Sequence, residues 1–191
     1  RIFNKISLYL CDANIFISND QKNQITSHIK TNNPLTIYSS LNKNHLDLYQ
    51  ELQNTGFKEK TVNLTLMSTL WLTRSNIKRK GLFETLDALE LIYDKDFLFY
   101  ICGKKGDGLK SLMDKVNLLK IRNKVKIITD ITEDDKYKLL RSTQLYLQPS
   151  YCEGLGNAVI EAMAFGCIPL VSRYTAQPEI VSNFGFIINE I

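Results

Sequence analysis

The sequence predicts an α/β fold, a doubly wound, Rossmann-like parallel sheet. Two observations carry that prediction. From about residue 62, short runs rich in β-branched and apolar residues alternate with longer stretches whose apolar residues recur every three to four positions. The composition, 44% hydrophobic and 23% charged over 191 residues, is that of a globular chain able to bury one substantial core.

The elements follow in order. "VNLTLMSTL" (62–70) reads as a buried strand, and "GLFETLDALELIYD" (81–94) as a helix with Leu82, Leu86, Leu89 and Ile92 or Tyr93 on one face. "FLFYICG" (97–103) is a strand ending in glycine, "LKSLMDKVNLLK" (109–120) an amphipathic helix and "KVKIIT" (124–129) a strand. "TEDDKYKLL" (132–140) opens a helix with Thr132 and Asp135 at capping distance. Its acidic cluster Glu133-Asp134-Asp135 therefore reads as helix-start chemistry rather than a metal site. "QLYLQPS" (144–150) is a strand, 157–165 a helix and "IPLVS" (168–172) a strand. "PEIV" (178–181) is a short turn and "FGFIIN" (184–189) a last strand.

Residues 1–60 differ. "ANIFISN", "DQKNQITSHI" and "LTIYSS" form a strand-helix-strand piece too small to bury a core alone. The expected division is 1–45 as the end of a preceding domain, 46–61 as an Asn-rich linker, and 62–191 as the main domain. A start at Arg1 without Met fits an excised piece of a longer chain.

Several classes have little support. The net charge is +4, scattered except at Lys78-Arg79-Lys80, and such a balance over the whole chain reads as solvated surface rather than a nucleic-acid footprint. No apolar run has membrane-spanning length, and the N-terminus lacks a signal-peptide pattern. Cys11, Cys102, Cys152 and Cys167 form no C-x-x-C pair, and three lie in apolar or strand-like contexts, as reduced, buried cytosolic thiols do. His28 and His45 belong to no metal-ligand spacing. A cytoplasmic location and no metal are expected.

In a doubly wound sheet, ligands bind beyond the carboxyl ends of the strands, here the loops after Leu70, Gly103, Thr129, Ser150 and Ser172. The most specific stretch is "PSYCEGLGNAVIEAMAFGCIPLV". A strand ends at Pro149-Ser150, Glu153-Gly154-Leu155-Gly156 turns, and a helix starts whose free N–H groups favour an anion such as phosphate. Glu161 is a carboxylate on an otherwise apolar helix, costly unless something meets it. Pointing back toward the helix start, it suits two vicinal ribose hydroxyls. Glu153, in the turn, is either a solvated carboxylate or a group facing a sugar or departing phosphate. Arg74 and Lys80, expected in the loop after the first strand of the main domain, are placed to clamp a diphosphate. "GKKGDGLKS" (103–111) is no Walker A loop, because Leu109 intervenes between Gly108 and Lys110. It reads as a strand-to-helix turn in which Gly103 brushes the ligand.

Arg74-x5-Lys80-Gly81, "FLFYICGKKGDG", the Glu153-to-Glu161 segment and "PEIV" together resemble the C-terminal, donor-binding half of a family-4 retaining glycosyltransferase of GT-B fold. The likeness covers about residues 62–189, with 8–40 resembling the last elements of that family's N-terminal domain. The resemblance implies a nucleotide-diphosphate sugar, UDP- or GDP-linked, as donor. Arg74 and Lys80 would hold the diphosphate, Glu161 the ribose and Glu153 the transferred sugar. Backbone N–H groups of Leu155, Gly156 and Asn157 would face sugar and phosphate, and Ile128, Thr129 and the two residues after them would border the base. It further implies metal-independent transfer to a glycan or glycolipid acceptor bound by an N-terminal domain. Polysaccharide or glycolipid synthesis, peripheral membrane association of the longer protein, and no turnover by this chain alone are expected with it. A catalytically silent nucleotide-binding or interaction module of the same fold is the competing reading. A sugar-phosphate epimerase is disfavoured, because the first strand of the main domain is not followed by G-x-G-x-x-G.

Overall fold

The computed structural model describes residue 8, residues 11–40, residues 47 and 50, and residues 64–189. Apart from 47 and 50, the expected linker (46–61) lies outside the described residues. The N-terminal piece is β1 (Asn14–Phe16), α1 (Asn19–Thr26) and β2 (Pro34–Thr36), with β1 and β2 parallel.

The main domain runs β3 (Leu64–Thr69), α2 (Arg74–Arg79), α3 (Leu82–Glu90), β4 (Phe97–Gly103), α4 (Leu109–Leu118) and β5 (Val125–Thr129). It continues with α5 (Glu133–Ser142), β6 (Leu145–Gln148), α6 (Asn157–Ala164), β7 (Ile168–Ser172), α7 (Gln177–Val181) and β8 (Phe186–Ile188). All six strands of this sheet pair in parallel, in the order β5-β4-β3-β6-β7-β8. The order reverses between β3 and β6, so the crevice beyond their carboxyl ends is where such a sheet takes its ligand.

Side-chain alternation along the strands divides the core. Leu66, Phe99, Ile101 and Leu147 pack with Leu82, Leu86 and Leu89 of α3 and Leu112 and Val116 of α4 on one face. Met67, Cys102, Tyr146 and Val171 pack with Tyr137 and Leu140 of α5 and Val159, Ala162 and Phe165 at α6 on the other. Each such fully buried side chain contributes about 1.5–3 kcal/mol, which anchors the strand ends from which the site is built.

The structure corrects some expected boundaries. Helix α3 stops at Glu90, so Ile92 and Tyr93 lie in a turn and stay exposed. Residues 178–181 are helical rather than a turn, with Pro178 in the first turn of α7 where its missing N–H costs nothing. Two cysteines, Cys102 and Cys167, are buried, while Cys11 and Cys152 are exposed. The expected cap at α5 is present, Thr132 accepting from the Asp135 N–H.

Among the described residues, the Glu179 side chain ties the N-terminal piece to the main domain. The Glu179 carboxylate on α7 accepts from the Asn19 and Asp20 N–H groups, both at 3.2 Å, and from the Tyr38 hydroxyl at 3.0 Å. The N-terminus of α1 carries partial positive charge, so a carboxylate docks there favourably.

Candidate functional site

A cleft of about 660 Å³ opens at the carboxyl edge of the sheet, beside the β3–β6 reversal. Its wall is built from the ends of β3 and β4 (Thr69, Leu70, Gly103), the turn after β5 (Asp130, Ile131), α2, α5 and the start of α6. This is the edge that the sheet topology selects.

The basic cluster is the first surprise. Residues 74–79 are not a loop but helix α2, capped by Thr73, whose hydroxyl accepts from the Asn76 N–H. Arg74 therefore sits at the exposed helix start, its N–H bonded to the Asp107 carboxylate, and its side chain is not part of the cleft wall. Lys80 takes the inward position expected of it, and Arg79, one and a half turns on from Arg74, stands inward beside it. Arg79 reaches the Cys152 carbonyl and Glu153 Oε1, both at 2.8 Å. Lys80 Nζ donates to Gln148 Oε1 at 2.9 Å and to the Thr69 carbonyl at 3.2 Å, and stands 3.7 Å from Glu153 Oε1.

Burial, with Arg79 nearby, lowers the Lys80 ammonium pKa against the opposing pull of Glu153. Two cations that line the cleft thus share one carboxylate, Glu153, which does not itself line it. Glu153 is also held by the Ser150 hydroxyl at 3.0 Å and the Gln148 amide at 3.3 Å.

Gln148 is a residue that the sequence reading passed over. It is buried at the end of β6, its carbonyl oxygen toward Lys80 and its amide nitrogen toward Glu153. An ammonium only donates and a carboxylate only accepts, so these two partners fix which way the amide points. Beneath it, the Tyr146 hydroxyl bonds Thr69 Oγ1 at 2.5 Å and accepts from the Thr69 N–H at 3.2 Å, tying the ends of β3 and β6 together.

Helix α6 begins at Gly156, whose φ of +96° is open to glycine and strained for other residues. No side chain caps that start, and Asn157 and Ala158 of its first turn line the cleft. Gly154 and Leu155 shape the preceding turn, Leu155 being buried. Gly103 borders the cleft as expected. Ile128 and Thr129 do not, while the next two residues of the expected stretch, Asp130 and Ile131, line it.

Glu161 lines the same cleft and is met by Lys136 of α5, Nζ to Oε1 2.9 Å, a partner 25 residues away that the sequence reading did not name. Burial works to lower the Lys136 pKa, but hydrogen bonds and charge from Glu133 and Glu161 outweigh it and leave it raised. Trp71, also missed, stands exposed at the cleft's lip, its indole N–H on the Lys105 carbonyl at 3.2 Å. Cys102 reaches the cleft too, yet burial pushes its thiol up to about 12, which leaves it protonated and a poor nucleophile.

Comparison with known proteins agrees with this geometry. Residues 69–190 match the family described as glycosyl transferases group 1, a span that contains every cleft residue named above. The chain belongs to that family.

The chain is also 25% identical, over 99% of its length, to the O-antigen chain mannosyltransferase RfbU of Salmonella typhimurium, of which it covers 50%. Among solved structures, it is similar to Anabaena HepE in complex with UDP and glucose. That likeness has a TM-score of 0.71 at 18% identity, covering 94% of this chain and 50% of HepE. Sucrose-phosphate synthase from Thermosynechococcus elongatus gives a TM-score of 0.75 at 17% identity, over 98% of this chain and 47% of that one. These likenesses establish the GT-B type of α/β fold for this group 1 glycosyltransferase chain. It spans about half the length of the relatives it matches.

Proposed function

We propose that this chain is the donor-binding half of a retaining, family-4 glycosyltransferase that uses a UDP- or GDP-linked sugar without a metal ion. The observation that carries the reading is one cleft joining Arg79 and Lys80, the open start of α6, and Glu161 one turn further on. Cations and helix start suit the diphosphate, and a carboxylate beyond them suits ribose. As the bond from the anomeric carbon to the diphosphate breaks, charge collects on the phosphate oxygens. Arg79, Lys80 and the α6 dipole are fixed beforehand to stabilise it. Glu153, released from the two cations, then faces the transferred sugar. The acceptor hydroxyl attacks from the face the diphosphate leaves, with retention of configuration, its proton passing to the departing phosphate oxygen.

The acceptor side belongs to the remainder of the longer protein. A glycan or glycolipid acceptor in polysaccharide synthesis, a cytoplasmic location and peripheral membrane association complete the proposal. The mannosyltransferase RfbU, named for the O-antigen chain, supports the polysaccharide part. HepE, solved with UDP and glucose, supports the donor class. On this reading the chain alone binds donor nucleotide and does not turn over.

The test is thermal stabilisation of this chain by UDP, GDP and ADP in chelator, beside Glu161→Ala. A ligand at 100 times its Kd adds about 2.7 kcal/mol. One diphosphate is expected to stabilise the parent chain and not the variant. Emission from Trp71, the chain's single tryptophan, at the lip of the same cleft, gives a second readout. No response to any of the three at millimolar concentration would favour a silent interaction module of the same fold.

A further inference from the structure

We propose that Lys136 is a positioning residue for Glu161, setting its carboxylate against the ribose hydroxyls so that the site selects ribo- over deoxyribonucleoside diphosphates. This inference rests on the donor reading above.

Both side chains line the cleft and are nearly closed off from water, with 14% of Lys136 and 10% of Glu161 exposed. They come from different helices, α5 and α6, so the contact fixes one helix against the other at the cleft wall. Lys136 is itself held from three sides. Nζ stands 2.9 Å from Glu161 Oε1, 2.8 Å from Glu133 Oε2 and 5.0 Å from the centre of the Tyr137 ring. Glu133 is steadied in turn by the Tyr137 hydroxyl at 2.7 Å. The neighbouring Lys138 behaves differently, pairing outward with Asp135 in solvent.

A carboxylate flanked by buried Val159 and Ala162 needs a counter-charge, and Lys136 supplies it. That need alone would be met by a cation in any orientation. What the geometry adds is direction. An ionised carboxylate has about four acceptor positions, and the short ammonium bond takes one of them on Oε1, drawing the group toward α5. An ammonium that is a full cation at neutral pH also keeps its partner an acceptor, the role a pair of ribose hydroxyls requires. Lys136 touches no ligand atom in this account and acts only through Glu161.

The experiment compares, by calorimetry on this chain, the affinities of UDP and GDP with those of their 2′-deoxy forms. The parent chain is expected to prefer the better-bound ribonucleotide by about tenfold or more, as loss of a hydrogen bond to a charged group implies. In Lys136→Met the preference should fall below about threefold, while affinity for the deoxy form changes less than about twofold. Lys136→Arg, which keeps the charge and the donors, should restore most of it. Where Lys136→Met does not fold, Lys136→Gln, which keeps a donor without the charge, decides. A parent chain that binds neither nucleotide, or both sugar forms equally, overturns the ribose reading of Glu161 and this inference with it. A parent that discriminates beside neutral variants that discriminate equally overturns the inference alone and leaves Lys136 a structural counter-ion.

Discussion

On the proposed donor reading, Lys80→Met is expected to lower turnover of the longer protein by roughly two to three orders of magnitude, the cost of removing one fixed donor from a developing oxyanion. Lys80 is held at the cleft wall by two oxygens of the sheet edge. The Thr69 carbonyl and Gln148 Oε1 hold its ammonium at 3.2 and 2.9 Å, on the strands flanking the topological reversal. Little reorganisation is then needed when charge develops beside it. Arg74→Met is the informative comparison. Its side chain stands at the exposed start of α2, away from the cleft wall, so turnover should stay within about threefold of the parent, as for a surface substitution. Steady-state rates of nucleotide release for both variants decide it. Equal losses would return Arg74 to the diphosphate and contradict the assignment of that role to Arg79.

Gly103→Ala is the second large effect, and it acts on stability. A Cβ at Gly103 would lie 1.6 Å from the Leu70 carbonyl oxygen, with the carbonyl carbon at 2.7 Å. The obstacle is backbone, held in place by the Leu70 N–H bond to the Cys102 carbonyl at 3.0 Å, so neither strand can yield cheaply. The expected loss is on the order of 4 kcal/mol, among the larger values for a point change. For a domain of this size that lowers Tm by about 10 °C. Gly154→Ala serves as the control, since its Cβ would meet only the end of the flexible Ile17 side chain at 3.0 Å. Calorimetric melting of the two variants beside the parent checks both expectations. A Tm for Gly103→Ala within about 2 °C of the parent would mean that β3 and β4 can move apart at the cleft edge.

Where the sequence sufficed, a local signal carried the whole answer. The apolar run ending at Gly103 and the run "IPLVS" each have strand length and clear punctuation, and both strands begin and end where they were expected. The cap at Thr132 was legible for the same reason, since donor and acceptor lie three residues apart. The start of α6 at Asn157 was legible from the glycine turn before it. Helix α2 was not, because it is six residues long and buries only Ile77, too little for a period to show. A signal did exist in Thr73, a residue suited to capping just ahead of it, and it would have moved Arg74 out of the cleft.

The partners inside the site were beyond local reading altogether. Lys136 meets Glu161 across 25 residues, and Gln148 meets Lys80 across 68. Both contacts exist only because the sheet order brings α5 beside α6 and β6 beside β3. Sequence spacing could say that Glu161 needed a partner, and only the fold could say which.

The central claim is that Arg79, Lys80, the α6 start and Glu161 form one nucleotide-diphosphate site. A crystal structure of this chain with the diphosphate that stabilises it tests this most directly. The predicted result places the β-phosphate within hydrogen-bond reach of Arg79 and Lys80, and the ribose hydroxyls on Glu161, with Glu153 no longer paired to both cations. A diphosphate bound at Arg74, or away from the start of α6, would contradict it.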